Sequence, residues 1–328
     1  MIAAYRGRTE IYMKIVFLDA LTLGEDIDLS CFSRLGETVI YPTTPTEAVA
    51  ERVADCNVIV TNKMKLGAHN LEAAKNLELI CVTATGFDNI DIGYAKDRGI
   101  AVCNVVGYST DSVAQLTVAC VLTLYNSLFE YRRYVSDGRY TESGVANVLT
   151  PVYHELAGKT WGIVGFGNIG KKVGVIAEAL GCKLIVNKRE SIAGYECVDI
   201  DELCERSDII TIHTPLNDQT HKLINKDRID KMKQGVFLVN MARGAVTDEE
   251  AVANAIKSGK LSGFASDVYS TEPFGREHPF YAVKDMPNVC LTPHMAWGAF
   301  EARERLRDEV MTNIESYLDG KYRNRVEK

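Results

Sequence analysis

The sequence predicts an α/β protein made of two doubly wound units, each a parallel sheet covered on both faces by helices. Three observations predict it. Short apolar runs alternate with segments of helical periodicity from Lys14 to Leu318, as in parallel strands joined by crossover helices. The 328 residues exceed what a single core usually fills. One stretch, Thr160–Arg189, reads TWGIVGFGNIGKKVGVIAEALGCKLIVNKR, which places strand, glycine turn, helix and strand in one βαβ unit.

Bulk properties exclude several classes. Hydrophobic content of 46% and charged content of 25% are ordinary for a globular chain. A net charge of -7 argues against a nucleic-acid footprint, and no apolar run reaches the roughly 18 residues of a membrane span. The nine cysteines form no C-x-x-C pair, and neither they nor the six histidines show metal-ligand spacing. They read as reduced core residues, and with no secretory h-region at the N-terminus the expected location is the cytoplasm. Met1–Tyr12 is polar and aperiodic, so Met13 is the expected functional start.

In chain order, KIVFLD (Lys14–Asp19) is a first buried strand. Helix Thr44–Asp55, strand Val58–Thr61, a helix near Leu71–Lys75 and strand Leu79–Thr83 follow. The turn ATGFDN at Ala84–Asn89 and a short helix then lead to strand Ile100–Cys103. Ser109–Tyr134 reads as one long helix, apolar on more than one face and therefore largely buried. The polar segment Ser136–Lys159 is long for a loop and is a candidate subunit contact. Beyond Lys188, helices alternate with the strands Asp208–His213, Val236–Asn240, Gly263–Asp267 and Val289–Thr292. The last helix, Ala299–Leu318, has to return to the first unit.

The glycine turn carries chemistry. Gly165 permits the tight turn, Gly167 lets backbone approach a pyrophosphate, and Gly170 allows helix and strand to pack closely. The helix from Asn168 and Ile169 points free N–H groups at phosphates, so this unit binds a dinucleotide. Three polar residues follow successive strands, where ligands of open α/β sheets bind: Arg243 in NMARG, Glu272 in YSTEP and His294 in TPHMAW. A guanidinium binds carboxylates bidentately, an imidazole exchanges protons near neutrality, and a carboxylate beside it fixes its tautomer. The set supports carbonyl–alcohol redox chemistry on a carboxylate-bearing substrate.

GFGNIG, NMARG, DVYSTEP and TPHMAW, in that order, resemble the D-isomer-specific 2-hydroxyacid dehydrogenase family over about Met13–Leu318. The resemblance implies a Rossmann cofactor domain at 107–294 inserted in a flavodoxin-like substrate domain, 1–106 with 295–328. It implies dimers through the long helix and the following arm, and domain closure before hydride transfer. It also implies a catalytic trio of Arg243, Glu272 and His294, with the substrate carboxylate held by Arg243 and by the N–H groups of Thr85 and Gly86. Thr110 is expected near the phosphates, His213, Thr214 and Pro215 near the adenine, and Asp267 near the nicotinamide carboxamide, with Ala242 a further cofactor contact.

Trp297, the TNK stretch at Thr61–Lys63 and Gln115 resemble the glycerate dehydrogenase and hydroxypyruvate reductase branch, with Trp297 on the substrate. The expected substrate is a small 2-keto or 2-hydroxy acid with a short polar side chain, hydroxypyruvate or glyoxylate. D-lactate and phosphoglycerate types, or a dinucleotide-sensing corepressor, are the alternatives. The chain departs from the family at Val106, often proline, and at Lys188, usually aspartate in NAD-dependent members. With Arg189 it surrounds the 2′-phosphate position with cations, which favours NADP(H) over NAD(H).

Overall fold

The computed structural model describes residues 13–188 and 190–327. The expectations for Met1–Tyr12 and for Arg189 lie outside the described residues. The chain forms two compact units, one of the described residues up to Ser109 with those from Gly298 onward, the other Thr110–Trp297.

The first unit holds β1 (Lys14–Phe17), β2 (Glu37–Ile40), β3 (Val58–Thr61), β4 (Leu79–Val82) and β5 (Ala101–Cys103). All pairings are parallel in the order β2-β1-β3-β4-β5, the flavodoxin-like arrangement. β3, β4 and β5 are buried at every position, which is why they read as near-continuous apolar runs. The helix Phe300–Leu318 packs on this sheet through Ala302, Leu306, Val310 and Ile314. Asn313 Nδ2 donates to Asn104 O at 3.0 Å. The tail covers the free edge of β5: Val326 N donates to Val102 O and Val102 N donates to Glu327 Oε2, both at 2.9 Å. Covering it removes an open template for intermolecular pairing.

The second unit holds β6 (Thr160–Val164), β7 (Lys183–Asn187), β8 (Glu196–Val198), β9 (Ile209–Ile212), β10 (Val236–Asn240), β11 (Leu261–Ser266) and β12 (Val289–Leu291). The order β12-β11-β10-β9-β6-β7-β8 is parallel throughout. Strand order reverses between β6 and β9, the Rossmann switch point where dinucleotides bind. Helix Thr110–Tyr125 packs on helix Asn168–Ala179 and on β10 and β11. Among the described residues no single helix is long and apolar enough to cross a membrane.

Several expectations need correction. β2 and β8 are unforeseen short edge strands. The long helix is two, Thr110–Tyr125 and Leu128–Ser136, bent by 63°. Ser127 takes a left-handed φ of 52° and Asn126 Nδ2 bonds Leu122 O at 2.8 Å, which ends the first ladder. The segment expected as helix Thr44–Asp55 divides into a 3₁₀ turn, Thr46–Ala48, and one α-turn, Val49–Arg52. The helix placed near Leu71–Lys75 lies earlier, at Ala68–Leu71.

Both unit junctions also fall later than 106/107 and 294/295. Arg305 Nε holds Tyr108 O at 3.0 Å in the first unit. In the second, Ala296 is held through its N–H by Asp267 at 2.8 Å and through its carbonyl by the Ser112 hydroxyl at 2.5 Å.

Candidate active site

The glycine loop leaves β6 and enters helix Asn168–Ala179. Gly165 has φ 87°, and a Cβ there would stand 2.7 Å from Thr214 N and 2.8 Å from His213 C. A Cβ on Gly170 would stand 2.2 Å from Gly165 O, so the helix presses directly on the loop. A Cβ on Gly167 would meet nothing within 4 Å. Gly167 is the N-cap and supplies no side-chain cap, so open space faces first-turn N–H groups, which fits a phosphate. Thr110 opens the neighbouring helix, and the Asp111–Lys172 ion pair at 2.9 Å ties the two helices together near their starts.

His213, Thr214 and Pro215 follow β9 and pack against Gly165. Both ring nitrogens of His213 are buried without a hydrogen-bond partner among the described residues. Burial pushes its pKa down to about 3, so the ring is neutral. Orphaned ring nitrogens beside the glycine loop match a site that a polar ligand completes. Lys188 is exposed after β7, and no acid stands at that position.

At the end of β10, Asn240 shapes the next loop: its Oδ1 accepts Ala242 N at 3.1 Å and its Nδ2 donates to Arg243 O at 3.0 Å. Arg243 is half-buried, and its Nη1 donates to Ala242 O at 2.8 Å. Gly244 is wedged against the loop after β11, where its Cβ would stand 2.0 Å from Tyr269 C and 2.2 Å from Ser270 N. The Arg243 and Glu272 loops are therefore packed backbone to backbone.

Glu272 Oε1 accepts Tyr269 N at 3.0 Å, and its Oε2 lies 2.6 Å from His294 Nδ1. Both side chains are partly exposed, 30% for Glu272 and 24% for His294, which leaves the imidazole accessible to a ligand. A carboxylate on Nδ1 directs the other nitrogen, Nε2, to the exchangeable proton. His294 has a left-handed φ of 52°, a conformation that costs a non-glycine residue about 1–3 kcal/mol and is kept only where surroundings impose it.

Asp267 imposes much of it. It is 1% exposed; its Oδ1 accepts the Thr292 hydroxyl at 2.6 Å and Met295 N at 2.9 Å, and its Oδ2 accepts Ala296 N at 2.8 Å. Burial pushes its carboxyl up, while those bonds and the nearby His294 pull it back. The residue expected near the nicotinamide thus fastens the histidine loop, and nothing in the sequence signals that role. Trp297 Nε1 donates to His294 O at 3.0 Å.

Thr85 and Gly86 belong to the first unit. The Thr85 hydroxyl donates to Val105 O and its carbonyl accepts Asn104 Nδ2, both at 2.8 Å, so the turn is clamped through groups other than its N–H. In the same unit Asp19 organises the TNK stretch: its carboxylate accepts Asn62 N at 2.9 Å, Lys63 N at 2.7 Å and the Thr61 hydroxyl at 3.2 Å. An acid closing the apolar run KIVFLD was the available signal for it.

A Rossmann sheet with an open glycine cradle and a carboxylate–imidazole pair at its carboxyl ends defines a dinucleotide-dependent oxidoreductase. The profile of the D-isomer specific 2-hydroxyacid dehydrogenase NAD-binding domain matches residues 118–296. The chain is 35% identical to a hydroxypyruvate reductase of Blautia hydrogenotrophica, over 96% of this chain and 100% of that protein. It is 34% identical to a glycerate dehydrogenase of Methylorubrum extorquens, over 96% and 99%. Among solved structures, an acyclic imino acid reductase in complex with NADPH and D-Arg superimposes with a TM-score of 0.83 at 28% identity, covering 96% of this chain and all of that one. The chain belongs to the D-isomer-specific 2-hydroxyacid dehydrogenase family, and it is an enzyme of nicotinamide-linked 2-hydroxyacid redox chemistry.

Proposed function

We propose that this enzyme reduces a short polar 2-keto acid, hydroxypyruvate to D-glycerate or glyoxylate to glycolate. The observation that carries the reading is the Glu272–His294 contact at 2.6 Å, beside a loop bearing Arg243. The glycine cradle at Gly165, Gly167, Asn168, Ile169 and Gly170 would hold the pyrophosphate with Thr110. His213–Pro215 would border the adenine, and Ala242 and the Asp267-fastened loop the nicotinamide. When bound, the nicotinamide supplies the hydride.

Everything else comes from side chains. His294 delivers a proton from Nε2 to the C2 oxygen, while Glu272 stabilises the imidazolium from Nδ1. Arg243 binds the carboxylate and faces the negative charge that develops on the C2 oxygen; such preorganised donors are commonly worth ~3–4 kcal/mol each. Trp297 borders the substrate, and the Thr85–Gly86 turn of the first unit is a further candidate for binding a substrate carboxylate. The names of the relatives support the substrate class. Following nicotinamide absorbance with a panel of 2-keto acids tests it: hydroxypyruvate and glyoxylate should give the highest kcat/KM, and a preference for pyruvate would move the enzyme to the lactate branch.

Lys188 and Arg189 support a preference for NADP(H). A homodimer is supported by the apolar side chains exposed along the bent helix and arm: Leu128, Val135, Leu149 and Val152, the last two 76% and 75% exposed. A groove of about 500 Å³ lies beneath that arm, lined by Tyr125, Val152, Tyr153 and Phe237. Nine free thiols suit a reducing, cytoplasmic compartment.

A further inference from the structure

We infer that Glu249 and His278, outside the reacting set, are positioning residues that fix the Glu272 carboxylate against His294; the inference rests on the functional reading above. Glu249 opens the helix Glu249–Lys257, whose cap is Asp248. An acid in a first helical turn ordinarily faces water, yet the side chains of Glu249 and His278 are only 8% and 7% exposed. A buried carboxylate persists only when donors surround it. Here there are three: Ser270 N at 2.8 Å, the Ser270 hydroxyl, and His278 Nε2 at 2.9 Å.

The protonation of His278 follows from its neighbours. Phe280 N donates to His278 Nδ1 at 3.2 Å, so Nδ1 is an acceptor and the ring proton sits on Nε2, pointing at Glu249. Phe274 and Phe280 wall the ring at centroid distances of 5.0 and 5.2 Å. The pair therefore has one arrangement.

What it holds is the strap from Tyr269 to Glu272. Ser270 is gripped at both its N–H and its hydroxyl, and the adjacent Tyr269 N–H donates to Glu272 Oε1. Gly244 presses on the same peptide from the Arg243 side. The Tyr269 hydroxyl donates to Thr292 O at 2.8 Å, on the histidine loop. One buried carboxylate thus sits where the loops of Arg243, Glu272 and His294 converge. Displacing the strap would turn the Glu272 oxygen away from Nδ1, and an error of about 1 Å at such a site can cost on the order of 10²-fold in rate.

The test is Glu249→Gln, which keeps the shape but turns an amide donor toward Ser270 or the His278 N–H. Turnover with NADPH and hydroxypyruvate should fall about 10–100-fold, with the dissociation constant of NADPH, from fluorescence titration, within about twofold. In the free enzyme, the downfield proton resonance of the His294–Glu272 bond, assigned by its loss in His294→Gln, should shift or broaden. His278→Ala should behave alike, and His278→Gln, which returns a donor toward Glu249, should recover part of the loss. Unchanged turnover and resonance in Glu249→Gln overturn the inference, as do parallel losses of turnover, NADPH affinity and melting temperature. If that variant does not fold, Ser270→Ala decides: a smaller loss with the same spectral change supports the inference, and a wild-type spectrum overturns it. If the wild type reduces no 2-keto acid, the functional reading fails, and the resonance still tests the positioning role.

Discussion

Trp297 donates its indole N–H to the carbonyl of His294 at 3.0 Å, so the aromatic residue three positions on buttresses the histidine's left-handed backbone. Trp297→Phe retains the bulk and removes the bond, a net loss of ~0.5–1.5 kcal/mol. Turnover should fall roughly 2–10-fold, to the same extent for every 2-keto acid. Steady-state kinetics across a substrate panel check it; a loss confined to one acid would show that the indole acts on that substrate instead.

His294→Ala should lower turnover by about 10²–10⁴-fold and leave NADPH affinity essentially unchanged, because the proposed role of the imidazole is on the substrate oxygen. Rapid-mixing kinetics and fluorescence titration separate the two. Turnover near that of the wild type would remove His294 from the chemistry.

The glycine loop separates folding from binding. Gly167→Ala adds a methyl group to open space, so the melting temperature should hold while cofactor affinity drops by at least about tenfold, or 1.4 kcal/mol. Gly170→Ala drives its methyl group into the Gly165 carbonyl and should cost ~1–3 kcal/mol of stability. Calorimetry with and without NADPH distinguishes the two outcomes.

The pH dependence of stability should carry the mark of Asp267. Burial raises its carboxyl above 3.8 in the folded chain, so the folded state binds its proton more tightly than the unfolded state does. Its contribution to stability therefore falls as pH rises from about 3.8 to the raised folded value, and is flat beyond. The difference in melting temperature between wild type and Asp267→Asn should vary across that window and level off above it. A constant difference from acid to neutral pH would contradict the shift.

Cofactor choice is tested at the end of β7. The wild type should show a higher kcat/KM with NADPH than with NADH. Lys188→Asp should reduce that ratio by roughly 10–100-fold, the worth of one charge-assisted contact plus the repulsion that replaces it. A ratio indifferent to the substitution would place selection elsewhere.

Much of this architecture is legible from local pattern, because strands buried on both faces, such as β3, β4 and β9, leave near-continuous apolar runs. β2 and β8 escape that rule. Their sequences, ETVI and ECV, lie at sheet edges with partly exposed side chains, so burial imposes no continuous run on them. The bend at Ser127 escapes too, since apolar periodicity continues across it while a single residue changes backbone region. At the site, Arg243, Glu272 and His294 stand out because reactive side chains at strand ends are visible in order. The fastening roles of Asp267 and Glu249 do not, since their partners come from segments that only the fold brings near: Met295 and Ala296 for one, Ser270 and His278 for the other.

The division of the first unit sets the order in which the protein can be finished. Its strands β1–β5 are made first, but the helix Phe300–Leu318 and the tail over β5 come only after the 188 residues of Thr110–Trp297. At about 5–20 residues per second on the ribosome, that interval is roughly 10–40 s. Throughout it, the edge of β5 and the face awaiting the last helix have no cover from their own chain. The inserted unit is contiguous and can close meanwhile. A ribosome stalled before Phe300 would release a completed nucleotide-binding half joined to a half-built sheet with an open edge, so nascent chains should depend on chaperones most during this interval.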